Sequence, residues 1–240
     1  MSRRRVAITG LGLVTPAGND VAATWSALLA ARSGVAPISS FDASGFPVRI
    51  AAEVKGLSPD LVERAIGDRK LLKMANRSHR YALVAAAQAF DDAGIRPGPE
   101  TATRWGCVVG TGMMGVTFDE LAQVQQEAAA NGELEPDRLL VANGSAAEPL
   151  AFFRSQSSAG AALLTRVFGI RGYMSSVHTA CASGGQAVGT AMKLIRRGAF
   201  DRMLAGGFDS MINPVGLSGF CLLNAVSPDN DTPEHASRPF

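Results

Sequence analysis

Cys181 stands in VHTACASGG, residues 177 to 185, between an apolar run and a helix-like pattern. A thiol at a strand-to-helix turn has a chemical use. The unpaired N–H groups and positive dipole end of the helix favour a thiolate there. The same N–H groups stabilise an oxyanion on an attacked thioester. Ala180, Ala182, Gly184 and Gly185 are small enough for a sharp turn and a close substrate. A free cysteine is also commonly a small buried hydrophobe, and by spacing alone the two readings stand level. A nucleophile of this kind needs a base within reach. His178 lies three residues earlier on the strand, but side-chain alternation does not assure that it faces Cys181.

Other chemistry is weaker. Gly10-Leu11-Gly12 follows an apolar run, but a dinucleotide-binding turn needs a further glycine at position 15, which is Thr15. Three cysteines, at 107, 181 and 221, have no metal-like spacing and make no disulfide framework, which fits a reducing cytoplasm. His79, His178 and His235 are scattered, which argues against a metal site and leaves each as a surface or packed imidazole.

The elements that must position Cys181 follow from patterning. The 240 residues are 47% hydrophobic and 18% charged, with 26 glycines, a composition of globular chains rich in tight turns. A net charge of +2 argues against nucleic acid or a membrane as the main partner. Arg3, Arg4 and Arg5 lead into a strand rather than a long apolar segment, so neither a signal peptide nor a membrane span is expected.

Short apolar runs alternate with helix-like blocks, which predicts an α/β architecture. Strands are expected at Val6 to Thr9, Trp105 to Val109, residues 173 to 178, and Arg202 to Ala205. Asn19 or Asp20 caps a helix with Val21, Trp25, Leu28 and Leu29 on one face. Further helices are expected at Tyr81 to Ala93 with Gly94 as stop, around Asp119 to Ala130, and at Gln156 to Phe168 with Gly169 as stop. Another covers Gln186 to Arg197, with Val188, Met192 and Ile195 on one side. Residues 32 to 59 and everything after Gly207 read as irregular.

VHTACASGG, with the later RMLAGGFDS, PVGLSGF and HASRPF and the opening RRVAITGLGLVTPAGNDVAATWSALLAARSG, resembles the β-ketoacyl-acyl carrier protein synthases, above all the type II elongating enzymes. The likeness spans residues 1 to 240 as one domain. It implies a thiolase-like fold, here the first βαβαβαβ half only. That half would hold a mixed five-stranded-type sheet between helices, without its last strand and without the second half. Cys181 then takes an acyl chain as a thioester from the phosphopantetheine arm of an acyl carrier protein. Malonyl-carrier protein loses carbon dioxide, and its carbanion attacks that thioester in fatty-acid or related polyketide elongation. No metal and no further cofactor is implied.

By the same resemblance Met113 gates the acyl pocket, Phe220 lines it, and the Cys181 N–H supplies half of an oxyanion hole. Arg69, Lys70, Lys73 and Arg77, within a basic run from Arg64 to Arg80, form a docking face for the acidic carrier protein. A homodimer is implied, with residues 173 to 178 pairing across its two-fold axis. The sequence departs from the pattern in three ways. Two catalytic histidines, a lysine and the second oxyanion donor would lie beyond residue 240. His178 stands where relatives carry a small residue, and Asn224 where they often carry an arginine. A chain of this extent is expected to expose apolar faces and an unpaired strand edge, to be aggregation-prone, and to lack condensing activity alone. Two other readings remain: a non-catalytic, chain-length-factor-like tunnel subunit, and a different thiolase-like cysteine acyltransferase.

Overall fold

Every residue from Trp105 to Gly110 is buried, and this apolar run does not alternate with polar residues. That is the pattern of a strand covered on both faces. The computed structural model describes residues 4–112, 118–130, 133–135, 137 and 149–239. The run forms β3 (Trp105–Thr111). It is the central strand of a parallel sheet, with β6 (Met174–Val177) on one side and β7 (Arg202–Phe208) on the other. Cys107 pairs with Met174 and with Leu204, and Gly110 with Val177 and with Gly207. Arg104 holds the entry to β7, donating from Nε and Nη2 to the Asp201 carboxylate at 2.9 and 2.8 Å.

The chain divides into two compact units. The sheet belongs to the unit of residues 1–6, 66–80 and 97–209. Its helices are α3 (Arg69–Met74), α5 (Phe118–Ala128), α6 (Pro149–Ser155), α7 (Ala159–Phe168) and α8 (Ser183–Arg196). A two-residue pair, β4 (Ala129–Ala130) with β5 (Glu133–Leu134), also belongs to it. Helix α7 packs on β3 and β6 and stops at Gly169, whose φ of 70° is open to glycine at little cost.

Helix α8 packs on all three strands, and Val108, Ala187 and Leu194 form a cluster with Val177, Phe200 and Met203 around it. It begins at Ser183, three residues earlier than expected. The face it buries is Ser183, Ala187, Ala191 and Leu194, whereas Val188 is 48% exposed. Size explains the reversal. A Cβ on Gly110 would fall 2.4 Å from the Ser183 carbonyl carbon, and one on Gly207 3.1 Å from the Gly184 Cα. At that separation only the small side of the helix fits.

The other unit comprises residues 7–65, 81–96 and 210–240. It holds α1 (Val21–Leu29), α2 (Pro59–Ile66), most of α4 (Arg77–Ala93) and α9 (Pro214–Leu222). A short antiparallel pair, β1 (Val35–Pro37) with β2 (Ile50–Ala52), lies in the stretch expected to be irregular. Val48, Ile50, Leu217 and Ala236 form its core, with Phe41 and Phe46 packed against them.

Further expectations are corrected. Residues Val6 to Thr9 form no strand. The chain just after them lies along α4 instead, where Leu11 N–H donates to Asp92 Oδ2 and Leu13 N–H to Gln88 Oε1. Gly10 and Gly12 serve that approach, since a Cβ on Gly12 would sit 1.8 Å from the Ala85 carbonyl oxygen. Asp20 caps α1 as expected, accepting from Ala23 N–H, but the buried side is Thr24 and Ala27. Trp25, Leu28 and Leu29 are 60%, 58% and 72% exposed. Thr24 wins the inner face through hydrogen bonds of its hydroxyl with Thr15 and with the Gly18 carbonyl. The segment after Gly207 is not all irregular, because Asn213 caps α9 and Pro214 opens it. Among the described residues the largest sheet has three strands, all parallel.

The contact of β3 with α8 yields a paired test. Gly110→Ala drives a methyl into backbone and should cost about 3 kcal/mol, lowering Tm by roughly 10 °C. Gly189→Ala, inside α8 with nothing near its added Cβ, should raise stability by about 0.5 kcal/mol. Thermal unfolding by circular dichroism reads both signs.

Candidate functional site

Strand β6 ends at Val177, and the chain must reverse within a few residues to enter α8. It does so at Ala180, whose φ of 50° lies in the left-handed region that side chains other than glycine rarely adopt. Alanine bears the Cβ clash of that conformation but adds no branching at Cβ to worsen it. A 3₁₀ turn, Ala180–Ala182, carries Cys181 to the head of the 14-residue α8. Ser183 fastens the turn by donating from its hydroxyl to the Ala180 carbonyl at 2.7 Å. Thr179 donates from its own hydroxyl to Gln186 Oε1 at 3.0 Å. Cys181 is exposed, so the packed reading of this cysteine does not hold.

The other cysteines differ. Cys107 is fully buried in β3, and burial pushes its thiol up to about 12, far from a thiolate at neutral pH. Cys221 lies half-buried in α9.

His178 is engaged elsewhere than at Cys181. Its Nε2 lies 3.1 Å from the Ser157 carbonyl and 3.1 Å from Ser176 Oγ, and its Nδ1 is 3.5 Å from Thr111 Oγ1. A carbonyl only accepts, so Nε2 carries the proton in that bond. The ring therefore ties the end of β6 to the end of β3 and to the segment before α7.

His79 is a packed imidazole, 5% exposed, near the head of α4. Its backbone N–H donates to Asn76 Oδ1, and the Asn76 N–H donates back to His79 Nδ1 at 3.3 Å. This is a reciprocal cap in which histidine takes the place usual for glutamate. Phe208 stands edge-on to the ring at 5.8 Å. Burial, and then the nearby Arg154 guanidinium, lowers the His79 pKa to about 4. Arg154 pairs with Glu120 at 2.5 Å and donates to the Lys73 carbonyl at 3.1 Å. The Asn76-x-x-His79 spacing before an alanine-rich helix was the sequence signal for this cap.

The remaining expected residues fall as follows. Arg69, Lys70 and Lys73 lie on α3 and Arg77 opens α4; all four side chains are exposed. Phe220 is on α9 in the other unit, 40% exposed. Met113 lies outside the described residues. Among the described residues no cluster of three His, Cys, Asp or Glu side chains forms a metal site, and no helix is long and apolar enough to cross a membrane.

Comparison with known proteins agrees with this geometry. A family model described as "Beta-ketoacyl synthase, N-terminal domain" matches residues 3–240. A 3-oxoacyl-[acyl-carrier-protein] synthase 2 from Coxiella burnetii is 35% identical over 240 residues, covering 100% of this chain and 54% of that protein. The chain thus spans about half the length of the curated relatives it matches. A beta-ketoacyl synthase from Burkholderia phymatum STM815 superposes with TM-score 0.79 at 26% identity, covering 100% of this chain and 54% of its own. A ketosynthase solved in complex with its type II PKS acyl-carrier protein and bound to the hexaketide has TM-score 0.73 at 26% identity, over 95% of this chain and 50% of that one. The thiolase-like α/β class expected from the motifs is the class of these neighbours.

Two outcomes follow from the site. Iodoacetamide at mildly alkaline pH should label Cys181 in the folded protein at least a hundredfold faster than Cys107, which should react only on unfolding; peptide mass mapping reads the ratio. His79 takes up its proton more readily in the unfolded chain, near its ordinary 6.5, than in the folded one, near 4. The stability it permits is full above pH 6.5 and falls as pH drops towards 4, by roughly 3 kcal/mol at most. Urea midpoints across that range should show the loss, and His79→Gln should flatten it.

Proposed function

This chain belongs to the β-ketoacyl synthase family, and on that premise we propose that Cys181 is its acyl-accepting nucleophile. The observation that carries the reading is the turn itself, which puts an exposed thiol at the head of a 14-residue helix through a left-handed alanine. The thiolate attacks the carbonyl of an acyl-phosphopantetheine thioester. The Cys181 N–H and the helix terminus stabilise the oxyanion, and the pantetheine thiol leaves with a proton. In the second half-reaction malonyl-carrier protein releases carbon dioxide. The resulting carbanion forms the new carbon–carbon bond at the acyl carbonyl, and Cys181 departs as thiolate. Decarboxylation supplies the carbanion without a strong base. The histidines and lysine that would assist this step are proposed to come from the part of the relatives that this chain does not span.

The substrates are thioesters of fatty-acid or related polyketide elongation, since both kinds of synthase are among the relatives. Arg69, Lys70, Lys73 and Arg77 are proposed to receive the acidic carrier protein, a reading supported by their common exposure and by the neighbour solved with its own carrier protein. Met113 and Phe220 are proposed for the acyl pocket, and a cytoplasmic homodimer for the assembly. A chain-length-factor-like role is disfavoured by the retained, exposed Cys181, because tunnel subunits have no use for the nucleophile.

Octanoyl-pantetheine should add an octanoyl mass to Cys181, and Cys181→Ala should abolish the adduct; acylation at Cys221 instead would overturn the assignment. With octanoyl-carrier protein as donor, the double change Arg69→Glu, Lys70→Glu should lower the acylation rate about tenfold. Transfer from free octanoyl-pantetheine should stay unchanged in that variant, which separates docking from chemistry.

A further inference from the structure

At the carboxyl ends of β3 and β7, Thr111 and Gly112 meet Phe208 and Asp209 around a cavity of about 40 Å³. The head of α4 contributes Ser78 and His79 to its walls, and Ser157 closes another side. Ligands of parallel α/β sheets sit at the carboxyl ends of the strands, and β6 delivers Cys181 at that same end. His178, three residues before Cys181, hydrogen-bonds two of the cavity's walls, Thr111 and Ser157. The volume holds a few water-sized groups.

Its polar atoms define what fits. The Asn76 N–H occupies His79 Nδ1 as acceptor, so the proton of the neutral ring is on Nε2. Among the described residues nothing accepts that Nε2–H, although His79 is 95% buried and lines the cavity. A Cβ on Gly112 would lie 1.8 Å from Asp209 Oδ2, so the carboxyl group of Asp209 lies against the glycine, and Asp209 lines the same cavity. An apolar occupant would strand the imidazole N–H. An anion would meet the Asp209 carboxyl oxygens, which only accept when ionised. A neutral hydroxyl both accepts from an N–H and donates to a carboxyl oxygen.

We propose that this cavity is a binding site for a neutral hydroxyl group, held by His79 Nε2–H and by Asp209. The hydroxyl comes either from ordered water or from an oxygenated acyl chain carried on Cys181. The second source rests on the proposed function, and the first does not.

Two measurements test the site and separate the sources. In the first, a high-resolution crystal structure of the protein shows whether an oxygen bridges His79 and Asp209. In the second, octanoyl-pantetheine competes with 3-hydroxyoctanoyl- or 8-hydroxyoctanoyl-pantetheine for Cys181, read by intact mass. A bridging oxygen with no preference among thioesters supports the site with water as occupant. A preference of about fivefold for one hydroxyacyl thioester, falling to parity in His79→Leu and in Asp209→Asn, supports it with the acyl chain as occupant. An empty cavity with no preference overturns the proposal. If no thioester acylates Cys181, the proposed function falls, and the crystal structure alone decides the cavity.

Discussion

The backbone of α8 touches the backbone of the sheet, and the candidate site depends on that contact. Gly110 on β3 and Gly207 on β7, paired in register, leave a flat floor onto which Ser183 and Gly184 settle. A helix that starts with Ser183-Gly184-Gly185 has poor intrinsic propensity, so tertiary packing rather than local preference fixes where it begins. Once that start is fixed, the chain between Val177 and Ser183 has little freedom. It must reverse at Ala180 in a left-handed conformation, and Cys181 is left outside, at the positive end of the helix.

Much of this was legible because its signals are local. β3, β6, β7 and the glycine stops of α4 and α7 follow from apolar runs and from residues that tolerate positive φ. The failures share a cause in non-local partners. Periodicity marks α1 and α8 as helices, but the larger apolar side need not be the buried one. In both, a small side packs closer and displaces Trp25, Leu28 and Val188 to the surface. Val6 to Thr9 has strand-like composition, yet the chain that follows it finds hydrogen-bond partners in Gln88 and Asp92 of α4. The helix α9 was readable from Asn213-Pro214 and was obscured by the surrounding prolines.

The site divides along the same line. Cys181 and its turn lie within nine consecutive residues and were visible as a motif. The surroundings of His178 and His79 draw on Thr111, Ser157, Phe208 and Arg154, which no spacing rule brings together. The three cysteines and three histidines therefore acquire different chemistry from their surroundings. Cys107 is silenced by burial, Cys181 is presented to solvent, and His79 is held neutral while serving as a helix cap.

The central place of β3 also has a temporal side. Its neighbours are strands near residues 174 and 202, so the sheet is built from pairings far apart along the chain. On the ribosome β3 emerges long before either neighbour, and it cannot be enclosed until Phe208 has left the exit tunnel. Contacts of this range slow folding and lengthen the exposure of an apolar strand. Through that interval Cys107, sealed in the finished protein, is an accessible thiol on a nascent chain. The residue chemically most protected at the end is thus among the most vulnerable during synthesis.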